Sequence, residues 1–505
     1  MAEQPFNHPV IQLFIMNLSP TLIISAIAAY FLVLIGISLW TGRKADSQDF
    51  FVAGKKAPWF IVAIGMIGAS MSGVTFISIP GAVGGDGLNQ AFSYMQAVMG
   101  YMLGYTVIAL VLMPLYYRMN LTSIYSYLGK RFGFYSNKTG AAYFLLSRVI
   151  GASFRLFLVA IVLDQFVLGA EPFNVPFEIT VVVTILLIWV YTFKGGIKTI
   201  IWTDTLQTIM FISAMVATII YIGSEMGESL GGLISLVTES EYSKMFFFEG
   251  GWGDPNNFFK QFFAGALLTI VMTGLDQDMM QKNLSCPNIR DAQKNMFTMS
   301  GILFFVNIIV LFLGALLFIY AAHENIELPA RTDYAYPTIA LNHLPPAVGI
   351  VFMLGLIAAA YSSADSALTA LTTSFCVDFL NFENTKKTEA EKKKTRLKVH
   401  ITFSVILALA ILIFNSLNND AVINNLFTAA GYTYGPLLGL FTYGMLSKNK
   451  IKDKLVIPVC LLAPILTWII VVQSKSQLGF DWGFLNLALN GILTMAGLYI
   501  ISDRK

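Results

Sequence analysis

The sequence predicts an all-α polytopic membrane protein with about thirteen transmembrane helices. Three observations carry that expectation. The 505 residues are 56% hydrophobic and only 12% charged, with a mean hydropathy of +0.69, a balance foreign to soluble domains of this size. Thirteen apolar segments have close to the 20 or so residues that a bilayer crossing needs. Basic residues gather in alternate loops between those segments.

Taken in order, the segments cover 18–41, 59–81, 92–117, 139–168, 176–193, 200–223 and 258–281. They continue with 297–321, 345–380, 399–416, 421–446, 455–474 and 483–502. One side of the alternation holds Arg43, Lys44, Lys55 and Lys56, then Arg118, Lys130, Arg131 and Lys138, then Lys194 and Lys198. It goes on through Lys282, Arg290, Lys294, the 386–398 run, Lys448 to Lys454, Arg504 and Lys505, making 26 of the 32 Lys and Arg. The other side holds Lys244, Lys260, Arg331 and Lys475. The positive-inside rule therefore places the N-terminus outside and the C-terminus in the cytoplasm of a plasma (inner) membrane. The start of the chain lacks the basic region and small-residue cleavage site of a signal peptide.

Several function classes recede on composition. A net charge of +3 does not imply a nucleic-acid partner. Cys286, Cys376 and Cys460 are too far apart to suggest a disulfide framework or metal site. The histidines (His8, His323, His343, His400) fall near or beyond segment ends, which weakens a membrane-enzyme reading. No phosphate-binding glycine loop suggests that ATP drives the protein. The 386–398 run reads as a solvated connector near anionic lipid, and the acidic 223–257 loop as cover for the outer mouth.

The second segment has a weak middle, Gly68-Ala69-Ser70-Met71-Ser72-Gly73, followed by Thr75 and Ser78. A loosened helix at membrane depth must line a cavity or face protein, because lipid cannot bond its backbone. Broken helices of this kind supply carbonyls for a cation and amides for a solute, although small residues also serve close helix packing. In the ninth segment, Ala359, Ser362, Ser363 and Ser366 share one helix face, extended by Thr369 and Thr373, with Asp365 at its edge. Hydroxyls and carbonyls are hard oxygen ligands suited to Na⁺. Ionisable groups at membrane depth default to functional hypotheses, and here they are Arg148, Arg155, Asp164, Asp204 and Asp365. Asp164 falls near an outer end and is expected to be wet. Either arginine could pair with Asp204 or Asp365, or could grip a substrate carboxylate.

Four stretches carry a resemblance: DFFVAGKKAPWF at 49–60, GGIKTIIWTDTLQ at 195–207, DQDMMQKN at 276–283, and AAAYSSADSALTALTTSFCVDFL at 358–380. Through them the chain resembles the sodium:solute symporter family, which includes transporters of sugars, sialic acid, proline and vitamins. The resemblance implies a single transmembrane domain with a LeuT-like core of two inverted five-helix repeats, 59–223 and 258–446. The first helix (18–41) stands outside them, and two peripheral helices (455–502) follow.

It further implies a first Na⁺ at the carbonyls of Gly68, Met71 and Ala359 and the hydroxyls of Ser362 and Ser363. A second Na⁺, present in some members, would fall on Ser362, Asp204, Asp365 and Ser366; the aspartate at 365 departs from the serine usual there. Substrate groups would be Ser70, Ser72 and Thr75, with Tyr94 or Gln96 from the third helix and Arg155 or Arg148 from the fourth. The implied activity is Na⁺-coupled import of a small polar solute, sugar-like and carboxylated, such as a sialic acid. It needs a lipid bilayer but no organic cofactor and no covalent chemistry, and a monomer would suffice. A proton-coupled symporter, or a solute sensor acting through a separate partner, are the alternatives.

Overall fold

The computed structural model describes residues 19–41, 47–192, 196–382, 385–417 and 422–503. Among the residues singled out above, His8, Arg43, Lys44, Lys194, Gly195, Arg504 and Lys505 lie outside these. Every one of the thirteen apolar segments forms helix. We number them α1 (Pro20–Thr41), α2a (Trp59–Ser70) with α2b (Gly73–Val83), α3 (Tyr94–Arg118), α4 (Phe134–Leu168), α5 (Phe177–Thr192) and α6 (Ile197–Glu225). Then come α7a (Phe258–Gly274) with α7b (Gln277–Asn283), α8 (Ile289–His323), α9 (Pro346–Phe379), α10 (Glu389–Leu417), α11 (Val422–Leu446), α12 (Val456–Leu478) and α13 (Asn486–Ile500).

Among the described residues, nine single helices and two bent pairs have the length and apolarity to cross a membrane, eleven crossings in all. The two expected spans outside that set are α5, with 16 residues, and α11, with 25. Large apolar side chains such as Leu32, Trp40, Ile220 and Phe305 point outward, as a lipid-facing surface requires.

The core is built by close approach. A Cβ at Gly68 would stand 2.5 Å from the Thr208 hydroxyl of α6, and one at Gly65 would stand 3.0 Å from the Asp204 Cβ. These two glycines let α2a lie directly against α6. Thr208 Oγ1 accepts the Gly68 N–H at 3.0 Å, so the contact also satisfies backbone near the break. At the periphery, Gly431, Gly435 and Gly439 of α11 leave room for Asn486, Asn490 and Thr494 of α13, and Asn490 Nδ2 donates to the Gly431 and Tyr432 carbonyls.

Two helices are broken. Helix α2 bends by 53°, with Met71 (φ −95°, ψ 74°) and Ser72 (φ −69°, ψ 178°) leaving the helical region, as the glycine-serine run predicts. Helix α7 bends by 69° at Leu275–Asp276, after a π-turn over Ile270–Gly274. The sequence reading treats that segment as one continuous helix, so the second break is a correction.

Candidate solute and cation site

The α2 break faces two sets of side chains. On one side, Ser70, Ser72 and Thr75 line a cavity together with Tyr94, Arg148 and Arg155. Tyr94 and Tyr101 of α3 share a hydroxyl–hydroxyl bond of 2.9 Å at its edge, while Leu268, Met272, Met279, Leu426 and Phe427 supply apolar wall. The Ser70 hydroxyl is buried and faces Tyr105 across the same cavity. The cavity holds about 90 Å³. Small-molecule sites generally start near about 300 Å³, so a sugar-sized solute enters only when the walls move.

Five of the six residues expected around a solute thus meet in one cavity. Gln96 does not. Its Nε2 donates to the Asn256 carbonyl at 2.8 Å and to the Ser93 carbonyl at 3.2 Å, and its Oε1 accepts the Phe247 N–H at 3.1 Å. The loop between α6 and α7a folds back over α3 and engages Gln96, a long-range contact that local pattern does not reveal.

The two arginines differ sharply. Arg148 forms an ion pair with Asp278 and reaches Asp276 at 3.6 Å, and Asp276 also accepts the Tyr434 hydroxyl of α11 at 2.5 Å. Arg148 is therefore bound to the α7 break, and not to Asp204 or Asp365, the partners named as one alternative from sequence. Arg155, 7% exposed, has no described carboxylate within ion-pair range, and its Nε is buried without a hydrogen bond. It faces the cavity, and the described protein offers it no ion pair, Asp276 acting on it only from beyond that range. Asp164, by contrast, is only partly buried and accepts from Thr180 at 3.3 Å, in keeping with its expected wet position.

On the other side of the break stands the serine face of α9. Ser363 Oγ lies 3.3 Å from the carbonyls of both Ala69 and Ala359. Ser362 Oγ is fully buried, lies against Gly68 and faces the Asp204 carboxylate. The structure therefore brings the Gly68–Met71 turn, Ala359, Ser362 and Ser363 together as facing oxygen donors, a donor set that fits Na⁺.

The lower level differs from expectation. Asp204 Oδ2 accepts from Lys282 Nζ at 2.6 Å, with Lys282 1% and Asp204 0% exposed. Lys282 is thus a buried residue of α7b, whereas the basic-residue pattern counts it with the cytoplasmic loops. Asp365 Oδ2 accepts from the Tyr191 hydroxyl at 2.8 Å, and Ser366 Oγ lies 3.2 Å from Asp365 Oδ1 while donating to the Ser362 carbonyl at 2.9 Å. Asp365 pairs with neither arginine. Sequence reasoning also overlooked Asp276, Asp278 and Lys282; the signal was present in the DQDMMQKN stretch, whose charges sit at the end of an apolar segment.

Comparison with known proteins bears on the family and the fold. The family model described as the sodium:solute symporter family matches residues 50–452. A sodium/sialic acid symporter from Aliivibrio fischeri is 25% identical over 93% of this chain and 92% of its own length. One from Proteus mirabilis is 24% identical over 83% of each. Among solved structures, a Na⁺-coupled sialic acid symporter in a substrate-bound outward-open state superposes with a TM-score of 0.78 at 19% identity, covering 96% of this chain and 99% of that one. A nucleobase-cation-symport-1 family transporter in a closed conformation gives 0.52 at 13% identity, which extends the likeness in fold alone.

Proposed function

The chain belongs to the sodium:solute symporter family, and from that premise we propose that it imports a small carboxylated sugar-like solute, of the sialic acid type, on a Na⁺ gradient. It is a transporter, not an enzyme. The observation that carries the choice of solute is Arg155, a buried cation without a protein counter-ion beside the hydroxyls of Ser70, Ser72 and Thr75. Such a charge needs an anion, and a guanidinium binds a carboxylate in a two-pronged geometry. The hydroxyls suit a polyol. The sialic acid symporters similar to this chain favour the same reading.

Na⁺ acts by linkage. Bound between the α2 break and Ala359, Ser362 and Ser363, it holds α2a, α2b and α9 in the arrangement that presents Ser70 and Ser72 to the solute, so each ligand raises the affinity of the other. The two repeats, 59–223 and 258–446, both open with a broken helix, which supports the inverted-repeat assignment. Thirteen crossings, an N-terminus outside and a C-terminus in the cytoplasm follow from the basic-residue pattern, and a monomer contains the whole site.

The test is uptake of labelled N-acetylneuraminic acid into proteoliposomes. An inward Na⁺ gradient should drive accumulation above equilibrium. Uptake that follows a pH gradient in Na⁺-free buffer would replace Na⁺ with a proton, and binding without accumulation would make the protein a sensor.

A further inference from the structure

We propose that the place a second coupling ion would take is filled by the ammonium of Lys282, so that each solute is coupled to one Na⁺. This rests on the Na⁺-coupled reading above and specifies its stoichiometry. The oxygen atoms available for a second ion are Asp204, Asp365, Ser366 and Ser362. Lys282 Nζ already sits 2.6 Å from Asp204 Oδ2, fully buried, with the geometry of a charge-assisted hydrogen bond. Asp365 is bonded to Tyr191 on one oxygen and approached by Ser366 on the other, and Ser366 donates its proton to the Ser362 carbonyl. Asp204 also faces the Ser362 and Ser366 hydroxyls, and Asp204 and Ser362 pack against Gly65 and Gly68 of α2a, beside the first ion's proposed place.

A tethered ammonium and a bound Na⁺ both supply one positive charge to a buried carboxylate. Both cannot share this spot, because like charges a few ångströms apart in a water-poor interior repel strongly. The lysine also competes from within the chain, with no association entropy to overcome. Lys282 is carried by α7b, which Gln281 ties to α9 through Thr373 at 3.0 Å, so the ammonium is positioned by the same helix that bears the serine face.

The experiment is the co-flux ratio of ²²Na⁺ to labelled sialic acid in proteoliposomes, with the Na⁺ Hill coefficient measured alongside. The wild type should give one Na⁺ per solute and a coefficient near one. Lys282→Met should uncover the site and move the ratio towards two with a steeper Na⁺ dependence, whereas Lys282→Arg should keep it at one. A merely structural lysine would lower protein yield without changing the ratio of what remains. Two Na⁺ per solute in the wild type overturns this inference alone, as does a folded Lys282→Met that stays at one. Absence of any Na⁺ dependence overturns the functional reading and this inference together. Should Lys282→Met fail to fold, a ratio of one in both the wild type and Lys282→Arg supports the proposal.

Discussion

The two broken helices solve the same problem in opposite ways. At the α2 break the loosened backbone is flanked by hydroxyls, and those of Ser70, Ser72 and Thr75 line a cavity. At the α7 break the turn is pinned: the Asp276 side chain accepts the Asp278 N–H at 2.9 Å, Tyr434 donates to Asp276, and Arg148 pairs with Asp278. One break turns hydroxyls towards a cavity; the other ties its carboxylates into a buried ion pair. A broken helix in a membrane is thus not a site by virtue of being broken. What sets the α2 break apart is a cavity lined by its hydroxyls together with the Arg155 guanidinium, which has no ion-pair partner there.

That contrast can be broken or sharpened by mutation. The largest effect is expected at the pinned break. Asp278→Asn or Arg148→Met removes one partner of a buried ion pair, and the loss should be about 3–5 kcal/mol of stability, read as a lowered unfolding temperature in detergent. The double change Arg148→Met with Asp278→Leu should recover much of it, because an apolar pair can replace a buried ion pair. Next comes Arg155→Lys, which retains the charge but not the two-pronged geometry. It should weaken solute binding by about 1–3 kcal/mol, roughly 5- to 150-fold, while the unfolding temperature stays near that of the wild type. Ser362→Ala with Ser363→Ala removes two Na⁺ donors. We expect on the order of 1 kcal/mol per lost oxygen, about fivefold each in the half-saturating Na⁺ concentration, with maximal uptake retained. An unchanged Na⁺ half-saturation would detach these serines from the ion. The smallest effect on transport is expected at Gln96. Gln96→Leu should loosen the outer loop, raising its proteolysis, yet leave solute affinity within about twofold, since Gln96 bonds to loop backbone and not to the cavity.

The helices were readable because each is a long apolar run with basic residues at alternate ends, and the α2 break because glycine and serine announce it. The α7 break was not. Asp276 and Asp278 look like the residues of a chain leaving the membrane, and only the folding of α4 against α7b turns them into partners of Arg148. The same blindness applied to Lys282, whose charge follows the loop pattern while its position is interior. Spacing alone put Ser362 and Ser363 on one face of α9; that this face meets Gly68 and Ala69 came from the family resemblance and the fold, not from spacing. It could not say which arginine was paired, because that depends on where residues more than a hundred positions away come to rest.

The central claim is that Arg155, left without a counter-ion by the protein, is the carboxylate contact. The direct measurement is binding of N-acetylneuraminic acid and of its neutral carboxamide, each in saturating Na⁺, to the wild type and to Arg155→Lys. The account predicts that the wild type prefers the acid by roughly 5- to 150-fold, the range for a hydrogen bond to a charged group, and that Arg155→Lys loses most of that preference by weakening the acid alone. Equal affinity of the wild type for acid and carboxamide, or a preference that survives in Arg155→Lys, would contradict it.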